Sequence, residues 1–290
     1  MRPTNAPEGP WEHGYATVNG LKLHYLTMGS GFPMVMLHGW PQTSYCWRKI
    51  MPAMAERFTV VAPDLRGFGD SDKPDSGYEQ RTLALDILKL MRSLGHERAV
   101  VVGQDWGGTL SYVIALEHPP FVDRLVVLDT VIRSLRHGKP FNPEIWYTKF
   151  FEIPELPEKM LQDHIGEFVK HFLLHWSHRN HYTEEDLAEY ARAYRLPGSI
   201  DGMLRHYRML PHDRQQFEQY ASRTIDVPTL ILWGEHDKPI PATNGDGIHR
   251  YVKNLTYKLI RDAGHFIQEE APDEVIREMR AYLTEFSTGT

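Results

Sequence analysis

The chain has 290 residues, 41% of them hydrophobic, a formal net charge of −6 and a single cysteine, Cys46. That length supports one sizeable core plus a subdomain, the lone cysteine excludes an intrachain disulfide and fits a reducing compartment, and the lack of a basic block argues against a nucleic-acid partner. No apolar run near the N-terminus or elsewhere suits a signal peptide or a membrane span, so the expectation is a soluble, cytoplasmic protein that does not engage a membrane, monomeric or homodimeric.

Taken in order, the chain begins with alternating apolar and polar residues over Tyr15–Val18 and Leu21–Thr27, joined by Asn19-Gly20, a strong hairpin signal. Met34–Leu37 reads as a buried strand ending in the turn His38-Gly39-Trp40-Pro41, and a helix is expected over Tyr45–Glu56. Phe58–Ala62 is the next strand. It runs into the glycine-rich loop Pro63–Pro74, whose Gly67-Phe68-Gly69 lacks the third glycine of a dinucleotide site. No Walker motif occurs. Thr82–Leu94 has helical spacing and stops at Gly95.

Residues 99–118 come next, and the rest of the chain is organised around them. Val100–Val102 is a β-branched run typical of a strand buried on both faces, and Thr109–His118 reads as a helix. Between them, Gly103-Gln104-Asp105-Trp106-Gly107 has the Gly-x-nucleophile-x-Gly form of a nucleophile elbow, with Asp in the central position. Glycines on either side suit a strand that turns at once into a helix, where backbones approach closely. The alternative reading of Asp105 is the N-cap of an ordinary strand-to-helix loop.

Leu125–Leu128 is a further buried strand, ending at Asp129. The alternation then stops. Helical segments over Glu144–Phe151, Glu158–Trp176, Glu184–Arg195 and Ser199–Met209 predict a helical lid, residues 133–219, inserted between core segments 1–132 and 220–290. Thr183 with Asp186 forms a capping-box start. The core resumes with strands Thr229–Trp233 and Thr256–Ile260, followed by Gly234-Glu235-His236-Asp237 and Asp262-Ala263-Gly264-His265-Phe266. A helix over Pro272–Phe286 closes the chain. Strands alternating with helices imply a mostly parallel sheet with its active site at the carboxyl ends of the strands.

Asp105, Asp237 and His265 follow three such strands in nucleophile–acid–histidine order, with Asp129 as a second candidate for the acid. With His38-Gly39-Trp40-Pro41, Asp64-Leu65-Arg66-Gly67-Phe68-Gly69-Asp70-Ser71, Trp146-Tyr147, Tyr207-Arg208 and Gly264-His265-Phe266, these motifs make the chain resemble the α/β-hydrolases with an aspartate nucleophile, most closely the soluble and bacterial epoxide hydrolases. The resemblance covers almost the whole chain. It implies an α/β-hydrolase fold with a mostly parallel eight-stranded sheet and a helical cap domain. It also implies lid tyrosines at Tyr147 and Tyr207, with Trp146 and Tyr182 competing for the former role. The backbone N–H groups of Trp40 and Trp106 are the expected oxyanion hole, and neither metal nor cofactor is required.

The residue types suit that chemistry. A carboxylate attacking an sp³ carbon gives an ester that water can cleave, whereas a serine would give an inert ether. His265 then activates the water and Asp237 orients the histidine. An epoxide leaves as an alkoxide and needs a proton, which a neutral tyrosine can give. The aromatic lid, with Trp146, Phe150, Phe151, Phe172 and Trp176, points to an apolar or aryl epoxide.

The alternatives are a haloalkane or haloacid dehalogenase using the same nucleophile and histidine, and a binding protein on the same fold that has lost turnover. Fluoroacetate dehalogenases share the Leu156-Pro157-Glu158 stretch but carry arginines at the positions of Trp106 and Thr109. Their halide-binding His-Trp pair is Trp146-Tyr147 here. His38 is expected to hold its turn by hydrogen bonds. His171, His175, His178 and His181 read as a polar helix face, since no Glu-x-x-His pattern or cysteine joins them into a metal site.

Overall fold

The computed structural model describes residues 3, 6–131, 141–179 and 181–284. The strands are β1 (Glu12–Val18), β2 (Leu21–Met28), β3 (Phe32–Leu37), β4 (Phe58–Pro63), β5 (Ala99–Gln104), β6 (Val122–Leu128), β7 (Thr229–Gly234) and β8 (Leu255–Ile260). They form one sheet in the order β1-β2-β4-β3-β5-β6-β7-β8. Only β2 runs antiparallel to its neighbours β1 and β4; every other pair is parallel. The hairpin turn at Asn19-Gly20 takes φ of 50° and 73°, the doubly positive conformation that matches the twist of the flanking strands.

Burial follows position in the sheet. All residues of β5 and β7 are buried, as expected for strands covered by helices on both faces. The edge strand β8 leaves Thr256–Leu259 exposed. The helices are α1 (Met51–Ala55), α2 (Gln80–Ser93), α3 (Trp106–Glu117), α4 (Tyr147–Glu152), α5 (Leu156–Leu161), α6 (Ile165–Trp176), α7 (Glu184–Tyr194), α8 (Ser199–Arg208), α9 (Leu210–Gln219), α10 (Ile267–Glu270) and α11 (Pro272–Leu283). α3 is buried from Trp106 to Leu116, so its lack of amphipathic character is that of a helix enclosed on all sides.

Several boundaries differ from the sequence expectation. The single helix expected over Tyr45–Glu56 is a 3₁₀ turn, Ser44–Trp47, followed by the short α1. Pro52 lacks the N–H that would bond back across this junction, so a continuous helix cannot pass through it. The helix expected over Glu158–Trp176 is divided into α5 and α6, with α6 packed against α7. Residues 162–164 contain neither Gly nor Pro, so the break has no local signal. The expected helical run ends at Met209, yet Pro211 sits in the first turn of a further helix, α9, where its missing N–H costs nothing. The Thr183–Asp186 capping box is present.

Helices α4–α9 all lie between β6 and β7 in sequence. The expected boundary at 132–133 and residue Phe286 lie outside the described residues. Among the described residues no helix is long and apolar enough to cross a membrane.

Candidate active site

The carboxyl ends of β3, β5, β7 and β8 converge on one point. β5 ends at Gln104, and Asp105 takes φ 49° and ψ −114° before α3 begins. This sparsely allowed conformation is held from several sides. The Asp105 N–H donates to Leu128 O at 3.2 Å, and its carbonyl accepts from Thr109 N at 2.9 Å and from Thr130 Oγ1 at 2.6 Å. The flanking glycines are a steric requirement. A Cβ on Gly103 would lie 2.2 Å from Gly107 O, and one on Gly107 would lie 2.1 Å from Leu37 O. Asp105 therefore stands on a sharp elbow, and its side chain makes no cap hydrogen bond to α3.

The two oxygens of Asp105 have different surroundings. Oδ1 accepts from the backbone N–H of Trp40 at 3.0 Å, and Oδ2 faces His265 Nε2 at 3.7 Å. Trp106 opens α3 directly beside Asp105, where helix N–H groups and the dipole favour negative charge. The turn that presents Trp40 is fixed by His38, whose Nδ1–H donates to Gly39 O at 3.1 Å while Nε2 accepts from Leu65 N at 3.0 Å. Burial pushes the His38 pKa down, consistent with a neutral ring in this structural role.

His265 pairs with Asp237, Nδ1 to Oδ2, at 2.9 Å, and both side chains are buried. The other oxygen of Asp237 accepts from Ile240 N at 2.7 Å. Burial opposes a charge on His265, but the carboxylates of Asp237 and Asp105 outweigh it and hold the imidazole well above its ordinary range. Asp129 lies elsewhere. Its Oδ1 accepts from Gly234 N at 2.7 Å, and burial, reinforced by the nearby Asp237, pushes its pKa well up. Asp129 thus braces the start of the β7 loop, and Asp237 is the carboxylate in contact with the histidine.

From the helical segment, Tyr147 of α4 and Tyr207 of α8 meet above Asp105, with their hydroxyls 3.5 Å apart and both rings buried. Tyr147 stacks on Trp40, with centroids 4.7 Å apart, and Tyr207 packs edge-on against Trp106 at 5.2 Å. Burial, then Tyr147 and Asp105, raises the Tyr207 pKa well above the usual phenol range, while a Trp106 side-chain hydrogen bond acts the other way. Trp146 is half exposed, and the Tyr182 hydroxyl accepts from Gln42 Nε2 at 3.2 Å, so neither competes with Tyr147 for the place above Asp105. His171 stacks on His175, whose Nε2 pairs with Glu144 at 2.8 Å on the exposed side of α6.

Asp105, Trp106, Tyr147, Tyr207 and His265 line a cavity of about 530 Å³, open solvent at its mouth included, completed by apolar groups such as Ile145, Leu210 and Ile240. That mix of polar and apolar lining groups suits a small organic molecule.

The supporting contacts of four residues escape the sequence reading. Gln104 Nε2 donates to His265 O at 3.0 Å, and Trp176 O accepts from His265 N at 3.1 Å. Thr130 holds the Asp105 carbonyl, as above. The buried Glu270 carboxylate accepts from Gly264 N, Phe266 N, His178 N and Arg179 N at 2.7–3.1 Å, tying the His265 loop to the end of the α6 segment. Glu270 follows His265 by five residues, a spacing that signals nothing until α10 folds back on the loop.

An α/β hydrolase fold family model matches residues 33–272. The soluble epoxide hydrolase of Corynebacterium sp. (strain C12) is 35% identical over 273 residues, covering 91% of this chain and 94% of that protein. The chain is an α/β-hydrolase of the epoxide hydrolase family. Human epoxide hydrolase 4 is 32% identical, covering 94% of this chain and 79% of its own length. The ligand-free structure of epoxide hydrolase CorEH superposes with a TM-score of 0.88 at 34% identity, covering 96% of this α/β-hydrolase and all of that chain. The expected fold is therefore the observed one.

Proposed function

We propose that this protein hydrolyses an epoxide to a vicinal diol through a covalent ester on Asp105. The observation that carries this reading is the meeting of the Tyr147 and Tyr207 hydroxyls across one cavity from the Asp105 carboxylate. In the first half-reaction Oδ2 of Asp105 attacks a ring carbon while the two phenols hydrogen-bond the ring oxygen. The C–O bond breaks, and one tyrosine gives its proton to the departing alkoxide. Tyr207 suits this task because a tyrosine phenol carries its proton at neutral pH.

In the second half-reaction a water between His265 and the ester attacks the Asp105 carbonyl carbon, and His265 takes its proton. Oδ1, already facing the Trp40 N–H, becomes the oxyanion, with the N–H of Trp106 as the second donor. Collapse of the tetrahedral species breaks the bond to the diol oxygen, which takes the proton held by His265, and the remaining proton of the attacking water passes from the Asp105 carboxyl to the tyrosinate, regenerating carboxylate, phenol and neutral imidazole. Asp237 holds the ring tautomer and balances the imidazolium. The helical insertion acts as the cap over this site, and its aromatic lining suits an apolar or aryl epoxide.

The test is a single turnover of styrene oxide with enzyme in excess in water enriched in heavy oxygen, beside a bromobutane assay for halide release. Unlabelled diol from the first turnover, with the label entering Asp105, supports the ester route. Labelled diol from the first turnover defeats it, and bromide release without diol defeats the epoxide reading.

A further inference from the structure

His171 and His175 stay together on the exposed side of α6, but His178 leaves them. It lies just beyond the end of α6, where its ring stacks on that of His236 from the loop after β7, with centroids 3.9 Å apart and planes 24° from parallel. Asp262, from the loop after β8, completes a group of three exposed side chains whose ligating atoms, one from each, all lie within 4.8 Å of one another. The backbone beneath each is fixed. The His178 N–H donates to the buried Glu270 carboxylate at 2.7 Å, the His236 N–H to Ala263 O at 2.9 Å and the Asp262 N–H to Glu235 Oε2 at 3.3 Å. Three distant segments are thus held in place while their exposed side chains can turn toward one point.

Two imidazoles and a carboxylate suit a borderline first-row dication such as Zn²⁺, whereas Mg²⁺ and Ca²⁺ take oxygen ligands. Tetrahedral Zn²⁺ with bonds of about 2.0–2.2 Å sets its ligands about 3.3 Å apart, so the group has to close by roughly 1–1.5 Å, within reach of side-chain rotation. Arg179 pairs with Asp262 Oδ2 at 3.1 Å, which leaves the second carboxylate oxygen to a metal. Glu235, 3.9 Å from His236 Nε2, adds a further negative charge beside the site. We propose that His178, His236 and Asp262 form a binding site for a zinc-class dication, with water completing the coordination. None of the three lines the reaction pocket, so the ion takes no part in the ester chemistry. It acts as a clasp. His236 precedes Asp237, Asp262 lies three residues before His265, and His178 lies two residues after Trp176, so one ion joins the helical insertion to the loops bearing the acid and the histidine.

Titration of the untagged, chelator-treated protein with zinc sulfate tests this. Calorimetry should show saturable binding, and the melting temperature should rise by about 5 °C once zinc exceeds its Kd a hundredfold. Magnesium at the same concentration should leave it unmoved. Zinc should slow amide exchange at 176–179, 235–238 and 262–266. His178→Gln and His236→Gln should each abolish the saturable binding while keeping the zinc-free melting temperature of the wild type, since both side chains are exposed. A His171→Gln/His175→Gln double variant should bind as the wild type does. The exchange map of the wild type locates the ion even if a variant fails to fold. No saturable zinc binding below millimolar concentration, binding that survives in both the His178 and His236 variants, or protection that falls on 171–175 instead overturns the site.

Discussion

Nε2 of His265 lies 3.7 Å from Oδ2 of Asp105, too far for a direct hydrogen bond and suited to contact through one intervening water. In the proposed reaction this geometry separates the tasks of the two residues, since Asp105 can be alkylated without His265. A His265→Gln variant should therefore complete the first half-reaction and stop. Mass spectrometry after exposure to styrene oxide should find one substrate mass added to the peptide bearing Asp105. An unmodified peptide would defeat the assignment of Asp105 as nucleophile.

The charge on His265 should respond to Asp105. Both nearby carboxylates favour the imidazolium, so esterification of Asp105 removes one of them and lets the ring shed its proton for base catalysis. Asp105→Asn mimics that neutralisation. The His265 titration followed by NMR should move to lower pH in this variant, and an unmoved or raised midpoint would contradict the coupling.

The two phenols share one oxygen in the proposed transition state. Tyr147→Phe or Tyr207→Phe should each lower kcat/KM by roughly ten- to a hundredfold, and the double variant should reach the order of 10³ expected for loss of general-acid catalysis. The raised pKa of Tyr207 adds a pH signature. Its deprotonation should not produce an alkaline fall in rate near pH 10, the ordinary tyrosine value.

Much of this site is legible in the sequence because its residues sit at strand ends and turns with local signatures. Asp105 lies between glycines that pack against backbone, Asp237 follows an apolar strand and His265 follows the last strand of the alternating pattern. Tyr147 and Tyr207 are known in advance only through family likeness. Residues 147 and 207 meet because separate helices converge, and no spacing encodes that. Glu270 and Gln104 are invisible because their partners are backbone groups, on the distant His178–Arg179 and His265 segments and, for Glu270, on the loop that α10 folds back over. Helix boundaries fail where tertiary packing divides a run, as between Leu161 and Ile165, and hold where a cap is written locally, as at Thr183.

Glu270 should matter beyond its distance from the chemistry. Glu270→Ala strands backbone donors at Gly264, Phe266, His178 and Arg179. At about 1–3 kcal/mol for each buried group left unpaired, partly recovered by water, a loss of about 3–5 kcal/mol is expected. That corresponds to a fall in melting temperature of roughly 10 °C. Faster amide exchange should concentrate at 264–266 and 178–179, and an evenly spread change would refute the local tie.

Asp237 and Asp129 should behave as opposites. Asp237→Asn leaves His265 without its charged partner, and kcat should fall by about 10³–10⁴. Asp129→Asn keeps an acceptor for Gly234 N and leaves the Asp237–His265 pair intact, so kcat should change less than about threefold, within the range of a retained hydrogen bond. Comparable losses in both variants would make Asp129 part of the acid pair.

In the proposed reaction Trp40 has two contacts that serve different half-reactions. Its main-chain N–H meets the oxygen destined to carry charge during ester cleavage, and its indole is the surface on which Tyr147 rests. Only the second depends on the side chain. Evolution can thus reshape acid delivery to the ring oxygen by exchanging the residue at 40 while ester cleavage, served by the peptide backbone, is inherited almost unchanged.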